Sequence, residues 1–419
     1  MYYNIKDYGA VGDGITNNTL AIQNAIDECV KNGGGQVLIE NGIYMTGTIV
    51  LGSGVDLHIS QNATLLGSPN CEDYPERDTK HVDAKFLTRW RNACLIYAEE
   101  VENISITGMG KIDCNGKYFT VKADENNHWG GWKYLRIDAP TPPRVVFFAG
   151  CKNVKIEDIT MVNQPAGWSY WIHDCDYVTC DKLKIFAEVE YPNNDGIHIN
   201  CSRNVTISNC SITCGDDCII VRANSASLKE NKICEKVTIT NCNLTSYSAG
   251  IRFGWLRDGV IRNCTCSNIV MYDCTTGIDF TIPYYEPDLE RKNVQRADIG
   301  REDTLIENIS LSNIVLDKVF NYPVRISVAP KAQISSINNI YFNGIRAKSP
   351  YSIKIAGQPE KPIKNVYFTD CQFESISVDE FEDPKYHGAG KDLSSIEKHP
   401  VLENVENLVL NSTSFKVTD

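Results

Sequence analysis

The sequence reads as an all-β protein, a single solenoid of stacked parallel β-coils (a parallel β-helix) closed at its N-terminal end by a helix. Three observations point to this class. A degenerate unit recurs along the chain: Asn followed by Val or Ile, then alternating apolar and polar residues, then Asn or Asp. The units fall at irregular intervals of roughly 24 to 32 residues where they are densest, room for several short strands and no helix. The N-terminal stretch alone departs from this pattern, with apolar residues at helical spacing. One coil buries too little by itself, whereas stacked coils share a continuous core, so residues 1–419 are expected to form one domain. A β-propeller would call for a more even period and four antiparallel strands per blade.

Taken in chain order, residues 16–31 are the expected cap. From Asn17 to Val30 a polar N-cap region leads into an amphipathic pattern, which Gly33-Gly34-Gly35 stops. Such a helix covers the open end of a solenoid. Gly12-Asp13-Gly14 and the triple glycine fit neither nucleotide-binding fingerprint and read as tight turns. The repeat units follow at Asn103-Ile104-Ser105-Ile106, Asn153-Val154-Lys155-Ile156, Asn204-Val205-Thr206-Ile207 and Lys236-Val237-Thr238-Ile239. They continue at Asn308-Ile309, Asn339-Ile340, Asn365-Val366 and Asn407-Leu408. Residues 115–143 interrupt the repeat with an aromatic loop containing His128, Trp129, Trp132, Tyr134, Pro140, Pro142 and Pro143. Such a loop is either groove wall or packing cover, and because aromatic faces stack on sugar rings the groove wall is the preferred reading. A second loop, Thr281-Ile282-Pro283-Tyr284-Tyr285, is the expected opposite wall.

Composition narrows the partners. A formal net charge of -12 argues against nucleic acid, which requires a basic face. No apolar run is long enough to span a bilayer, so no membrane partner is expected. The start, Met1-Tyr2-Tyr3-Asn4-Ile5-Lys6-Asp7, has neither a basic region nor an apolar core, and a cytoplasmic location is the expectation. The 17 cysteines then read as buried, reduced thiols stacked at strand ends, as in Asn209-Cys210 and Asn241-Cys242. There is no CxxC pair, and Cys264-Thr265-Cys266 is too tightly spaced for a usual zinc site, so no metal or other cofactor is expected. Nothing in the sequence marks a self-association face, which leaves the oligomeric state open.

The chemistry concentrates in two segments, Asn193-Asn194-Asp195-Gly196 and Gly215-Asp216-Asp217-Cys218. A coil period near their separation would bring all three carboxylates to neighbouring turns of one groove. Clustered carboxylates repel, and the repulsion raises at least one pKa. A protonated acid beside an ionised base is the requirement of glycosidic bond hydrolysis. Successive strand residues point to opposite faces, so Asp216 and Asp217 share a site only where a turn or bulge at Gly215 breaks the alternation.

These motifs resemble glycoside hydrolase family 28, the polygalacturonase-like, pectin-active right-handed β-helices. The opening Asp7-Tyr8-Gly9-Ala10-Val11-Gly12-Asp13-Gly14 is shared with many pectin-active β-helices. Pro143-Arg144-Val145-Val146-Phe147 and Asn163-Gln164-Pro165-Ala166-Gly167-Trp168 look like family landmarks. The pairing of Asn-x-Asp-Gly with Gly-Asp-Asp-Cys is the most specific feature. The resemblance implies Asp216 as general acid, Asp195 and Asp217 as the pair that holds and deprotonates water, and inversion at the anomeric carbon. For inversion the two carboxyl groups stand roughly 6.5 to 9.5 Å apart.

The chain departs from the family in two places. A Gly-His-Gly segment is replaced by Ser248-Ala249-Gly250, and an Arg-x-Lys segment, which binds a substrate carboxylate, by Gly277-Ile278-Asp279-Phe280. An anionic ring would meet Asp279 there, or a neutral surface, instead of a cationic fork. Arg252, Arg222, Arg257 and Arg325 are the cations near enough in sequence to compensate. Arg252 is the foremost candidate for substrate contact. Trp255 beside it is either a sugar platform or a core residue. Asn193, His198, Trp129 and Tyr284 complete the expected substrate-binding set, with His198 read as a packing or hydrogen-bonding residue. The expected activity is an inverting, exo-acting hydrolysis of short pectin-derived or other uronic-acid- or rhamnose-containing oligosaccharides. Two alternatives stand beside it: a β-helix lyase or epimerase that stabilises an enolate with a cation, and a non-catalytic carbohydrate-binding solenoid.

Overall fold

The computed structural model describes residues 1–77, 79, 81, 93–124, 132–137, 142, 144–225, 228, 230–284, 303–377 and 396–418. Its backbone is a ladder of parallel pairings between successive coils. Lys152–Glu157 pairs with Asp176–Asp181, which pairs with Arg203–Ser208, which pairs with Cys234–Thr240. A second ladder runs from Arg144–Ala149 through Trp168–His173 and Ile197–Asn200 to Ile219–Arg222. A third joins Thr160–Val162, Lys184–Phe186 and Ser211–Cys214. Each coil therefore contributes one short strand to each of three faces. The ladder strands bond to the coil above and below, skipping the corner residues, so each coil depends on its neighbours.

Asparagine is the corner residue for a physical reason. Asn103, Asn153, Asn204, Asn263, Asn308, Asn339, Asn365 and Asn407 all adopt positive φ, between 53° and 57°. Asn tolerates this left-handed region better than most residues because its short amide bonds locally. Along the stack the amides bond to one another, as in Asn153 to Asn103 at 2.8 Å, Asn339 to Asn308 at 3.1 Å and Asn407 to Asn365 at 2.7 Å. The register puts Tyr177 and Lys236 in the same column, also at positive φ, and the amide ladder is interrupted there. The neighbouring coils impose the corner even where the side chain does not favour it.

The cap helix spans Thr19–Lys31, a later start than the expected residue 16. Asp13–Asn17 pairs as a strand with Gly42–Thr46, and Asn18 turns its amide back to the Val11 and Thr16 carbonyls. Helix residues Ile22, Ala25, Ile26 and Cys29 are buried. They pack over the first coil, against Tyr2–Asn4 and Gly35–Ile39. The solenoid interior is one continuous apolar core of stacked like residues, such as Phe342 on Phe368 at 4.6 Å and Phe253 on Phe280 at 4.9 Å.

One face is buried on both sides. In Arg144–Ala149 all six residues are buried, and in Ile197–Asn200 and Ile219–Arg222 all four are. This produces the near-continuous apolar runs that doubly covered parallel strands require. Part of the cover comes from the 115–143 insertion, where Thr120–Lys122 and Tyr134–Arg136 form an antiparallel hairpin. Trp132 Nε1 donates to the Gly215 carbonyl at 2.6 Å, and Tyr134 packs edge-on to Tyr191 at 4.9 Å. The insertion is therefore seated on the turns that carry the aspartates.

Candidate active site

The three aspartates lie in stacked turns that lead into the doubly covered face. Asp195 precedes Ile197–Asn200, and Asp216 and Asp217 lie between Ser211–Cys214 and Ile219–Arg222. The turns are cross-bonded coil to coil: Ser169 N donates to Asp195 O, Gly196 N to Asp217 O, and Cys218 N to Ala249 O. The pair thus sits in a turn, outside any strand, and the alternation of strand faces does not apply to it. Gly215 is required there by space. A Cβ on it would come within 2.5 Å of the Val189 and Tyr191 carbonyl oxygens. Asn194 locks the same turn, accepting from Gly215 N at 2.7 Å and donating to Glu188 O at 2.6 Å. One oxygen from each of Asp195, Asp216 and Asp217 lies within 4.8 Å of the others. That spacing is tighter than the separation of carboxyl groups expected for inversion.

The three carboxylates have unlike surroundings. Asp195 and Asp217 are 4% exposed, whereas Asp216 is only partly buried. Asp216 accepts from Asn193 Nδ2 at 3.1 Å and from the Asp217 amide at 3.0 Å. Burial and the Asp217 charge push its carboxyl up to about 7, against an opposing pull from Arg252. Burial, then the Asp216 and Asp217 charges, push Asp195 well above the usual carboxylate range. Asp195 Oδ1 is buried with no hydrogen-bond partner among the described residues. His198 Nδ1 lies 3.7 Å from Asp195 Oδ2. Burial, then Arg222 and Arg144, depress His198 well below its ordinary value, so it is neutral at physiological pH.

Asp217 meets a different environment. Its Oδ2 accepts from Arg252 Nε at 2.6 Å. Its Oδ1 accepts from Arg252 Nη2 at 3.0 Å, Ser248 Oγ at 2.9 Å and Ala249 N at 3.1 Å. Arg252 Nη1 reaches the next coil and donates to Asp279 Oδ2 at 2.6 Å. Asp279, fully buried, accepts two further bonds from Arg325 at 2.9 Å each and one from Thr281 at 2.6 Å. Burial alone would raise the Asp279 carboxyl, but Arg252 and Arg325 hold it at about 2. Ser248-Ala249 and Asp279, the two departures from the family pattern, are therefore parts of one ionic row. Asp279 thus faces two arginines and is withdrawn from any ring in the groove, in contrast to the expectation from sequence.

The remaining expected residues are distributed as follows. Arg252 is 7% exposed, with Nε, Nη1 and Nη2 all bonded as above, and the Trp255 ring lies 4.5 Å from its guanidinium carbon. Arg222 does not join the aspartates. Its Nε donates to buried Asp258 at 2.6 Å and its Nη2 to Leu256 O at 3.2 Å. Tyr284 packs against the core, with Lys331 Nζ 5.5 Å from its ring centre. Trp129, with His128 and Tyr285, lies outside the described residues. The structure also reveals an aromatic cluster not singled out from sequence. Trp168 is 4.0 Å from His198, Trp171 stacks on Phe147 at 4.3 Å, and Arg144 is 3.8 Å from Trp171. The signal was present in Trp168-Ser169-Tyr170-Trp171, a strand with aromatic residues on both faces.

Comparison with known proteins agrees with this architecture. The profile of Glycosyl hydrolases family 28 matches residues 45–389. A probable polygalacturonase of Vitis vinifera is 28% identical over 283 residues, covering 65% of this chain and 55% of that protein. An exo-poly-alpha-D-galacturonosidase of Dickeya chrysanthemi is 29% identical over 255 residues, covering 52% of this chain and 41% of that protein. The chain thus spans about half the length of each of these two relatives. The fold is that of a hyperthermoactive exopolygalacturonase from Thermotoga maritima, with a TM-score of 0.72 at 20% identity over 98% of this chain and 92% of that one.

Proposed function

The chain belongs to glycosyl hydrolases family 28, and from that premise we propose that it hydrolyses short pectin-derived oligosaccharides containing uronic acid or rhamnose. In this reading it acts from a chain end, inverts the anomeric centre, and differs in specificity from an ordinary polygalacturonase. One observation carries the proposal: a partly exposed carboxyl, Asp216, held at about 7 beside a second, buried carboxyl of raised pKa, Asp195. Like charges this close disfavour ionising both, so in this reading one of the two holds a proton while the other is ionised. The protonated member protonates the leaving oxygen, and its ionised partner draws a proton from water.

Single displacement by water fits the surroundings better than a covalent intermediate. Both oxygens of Asp217 are engaged by Arg252, and Oδ1 also by Ser248 and Ala249, which disfavours it as a nucleophile. This argument outweighs the close spacing of the oxygens, which taken alone would point toward retention. The altered specificity is supported by Asp279, paired on both sides, in place of the Arg-x-Lys arginine. The exo mode is supported by the Dickeya chrysanthemi relative. A cytoplasmic setting belongs to the same proposal and is supported by 17 free cysteines, all buried except the half-buried Cys71.

The test is product analysis on a panel of pectic and neutral oligosaccharides, wild type beside Asp216→Asn, with proton NMR of the first-formed anomer. The expected result is one monosaccharide or terminal disaccharide, released with inversion by wild type alone. A time course of mixed internal fragments would remove the exo mode, and turnover by Asp216→Asn equal to wild type would remove the assigned acid.

A further inference from the structure

We infer that Arg252 is the positioning residue of this hydrolysis: its fork clamps Asp217 as a fixed carboxylate that carries no proton in the cycle, leaving Asp195 and Asp216 as the proton-handling pair. The inference rests on the hydrolase reading above and divides labour within the triad. A carboxylate offers about four acceptor positions. Asp217 receives four donors, two from the Arg252 fork, one from Ser248 Oγ and one from Ala249 N. Oδ1 takes three of them and Oδ2 one, so a proton taken from water would have to displace a donor at Oδ1 or settle beside the Arg252 guanidinium at Oδ2. Asp195 is the opposite case, with Oδ1 buried and unbonded among the described residues and Oδ2 3.7 Å from a neutral imidazole.

Arg252 is itself held from behind. Asp279 takes its Nη1 at 2.6 Å, Arg325 grips Asp279 with two bonds, and Trp255 lies against the guanidinium. A guanidinium fixed at both ends presents its fork to Asp217 in a single orientation. The step then balances as follows. The bond from the anomeric carbon to the leaving oxygen breaks, and that oxygen keeps the electron pair and takes the Asp216 proton. The water oxygen bonds to the anomeric carbon and gives a proton to Asp195. The pair resets by exchanging one proton with solvent. Among the described residues, the charged and titratable groups facing this pair are Asp217, Arg252, Cys214 and His198, with Arg222, Arg144 and His173 acting on His198.

The experiment is a set of pH–rate profiles on an oligosaccharide that wild type cleaves, for Asp195→Asn, Asp217→Asn, Arg252→Gln and Arg252→Lys. Arg252→Gln is expected to lower kcat on the order of 10²-fold, with KM within about threefold. Its alkaline limb should move upward, because the cation that pulls Asp216 down has gone. Arg252→Lys should bring that limb back toward wild type. Asp195→Asn should abolish the acid limb, whereas Asp217→Asn should retain both limbs at a reduced rate. A rise in KM at unchanged kcat for Arg252→Gln would make Arg252 a direct substrate contact and overturn the inference, as would loss of the acid limb in Asp217→Asn alone. Should Arg252→Gln not fold, Ser248→Ala removes one of the four donors, with a smaller shift of the alkaline limb in the same direction expected and no shift overturning it. Carboxyl carbon-13 titration, assigned by difference against the three Asp→Asn variants, needs no substrate. In Arg252→Gln the Asp216 carboxyl is expected to titrate higher than in wild type, and an Asp216 titration unmoved by the substitution would overturn the inference even if the hydrolase reading failed on the panel.

Discussion

A single register column crosses the doubly covered face, and it changes character at the coil of the aspartate pair. On the N-terminal side it reads Tyr97, Phe147, Trp171, His198. After Ile220 it reads Arg252, Asp279, Arg325, Lys354. The first half is held by ring contacts, such as Tyr97 edge-on to Phe147 at 5.3 Å and Phe147 on Trp171 at 4.3 Å. The second is held by ion pairs, Arg252 to Asp279 at 2.6 Å and Arg325 to Asp279 at 2.9 Å, while Lys354 beyond them pairs with Glu397. Both halves are built on the same backbone, with coils about 4.8 Å apart. The difference lies in what each tolerates. Ring packing depends on volume and survives a change of chemistry that preserves shape. A buried charge row depends on sign and does not.

The largest expected effect follows from that contrast. Asp279→Asn keeps the side-chain shape but leaves buried Arg252 and half-buried Arg325 side by side without their shared anion. The expected loss is about 3–5 kcal/mol of stability. Phe147→Leu alters shape in the aromatic half at constant charge and should cost about 1–1.5 kcal/mol. Denaturant unfolding of the two variants measures the difference. Equal losses would mean that the ionic row is no more sign-dependent than the rings.

The two halves also differ in how far they could be read from sequence. The coil corners were legible because Asn in the left-handed region is a local requirement repeated at Asn103, Asn153, Asn204 and onward. The aspartate motifs were legible because their separation matched one coil. The charge row was written in plain view as Gly-Ile-Arg252-Phe, Gly-Ile-Asp279-Phe, Pro-Val-Arg325-Ile and Ser-Ile-Lys354-Ile. It escaped notice because the chain between Ile282 and Val324 is long and hides the register, so Asp279 and Arg325 did not present themselves as neighbours. Arg222 was misplaced for a related reason. Parity along one strand gives a face, but its partner Asp258 lies in a later turn. The cap helix start was late because Asp13–Asn17 pairs with a distant strand, a tertiary preference invisible to local periodicity.

The pH dependence of stability should divide along the same line, at an intermediate magnitude. Asp279 is held at about 2 when folded, below its ordinary value near 4. Its contribution, on the order of 2 kcal/mol, is present above about pH 4 and is lost as pH falls toward 2. Asp195 and Asp216 run the other way. Their folded values are raised, so the folded state binds more protons and stability declines as pH climbs from about 4 through about 7. Asp216→Asn should therefore be inactive yet more stable than wild type at pH 8, by on the order of 2 kcal/mol, and indistinguishable from it near pH 4. Thermal unfolding across pH checks both limbs. An Asp216→Asn protein no more stable than wild type at pH 8 would show that the triad is not under electrostatic strain.

The smallest effect marks where the ionic half ends. Lys354 is the last charge in the column, and its side chain is 25% exposed, against 0% for Asp279 and 22% for Arg325. It pairs with Glu397 at 3.5 Å, an open contact that solvent and salt can screen. Lys354→Gln should cost no more than about 0.5 kcal/mol, and less in high salt. Arg325→Gln should fall between this and Asp279→Asn, because it strips two of the four donors from a buried carboxylate while Arg252 remains. The row is thus expected to weaken outward from the aspartates, with the order Asp279, Arg325, Lys354 measured by unfolding at two ionic strengths. A Lys354 variant as damaging as the Asp279 one would mean that the column acts as a single cooperative chain, with its exposed end as important as its buried root.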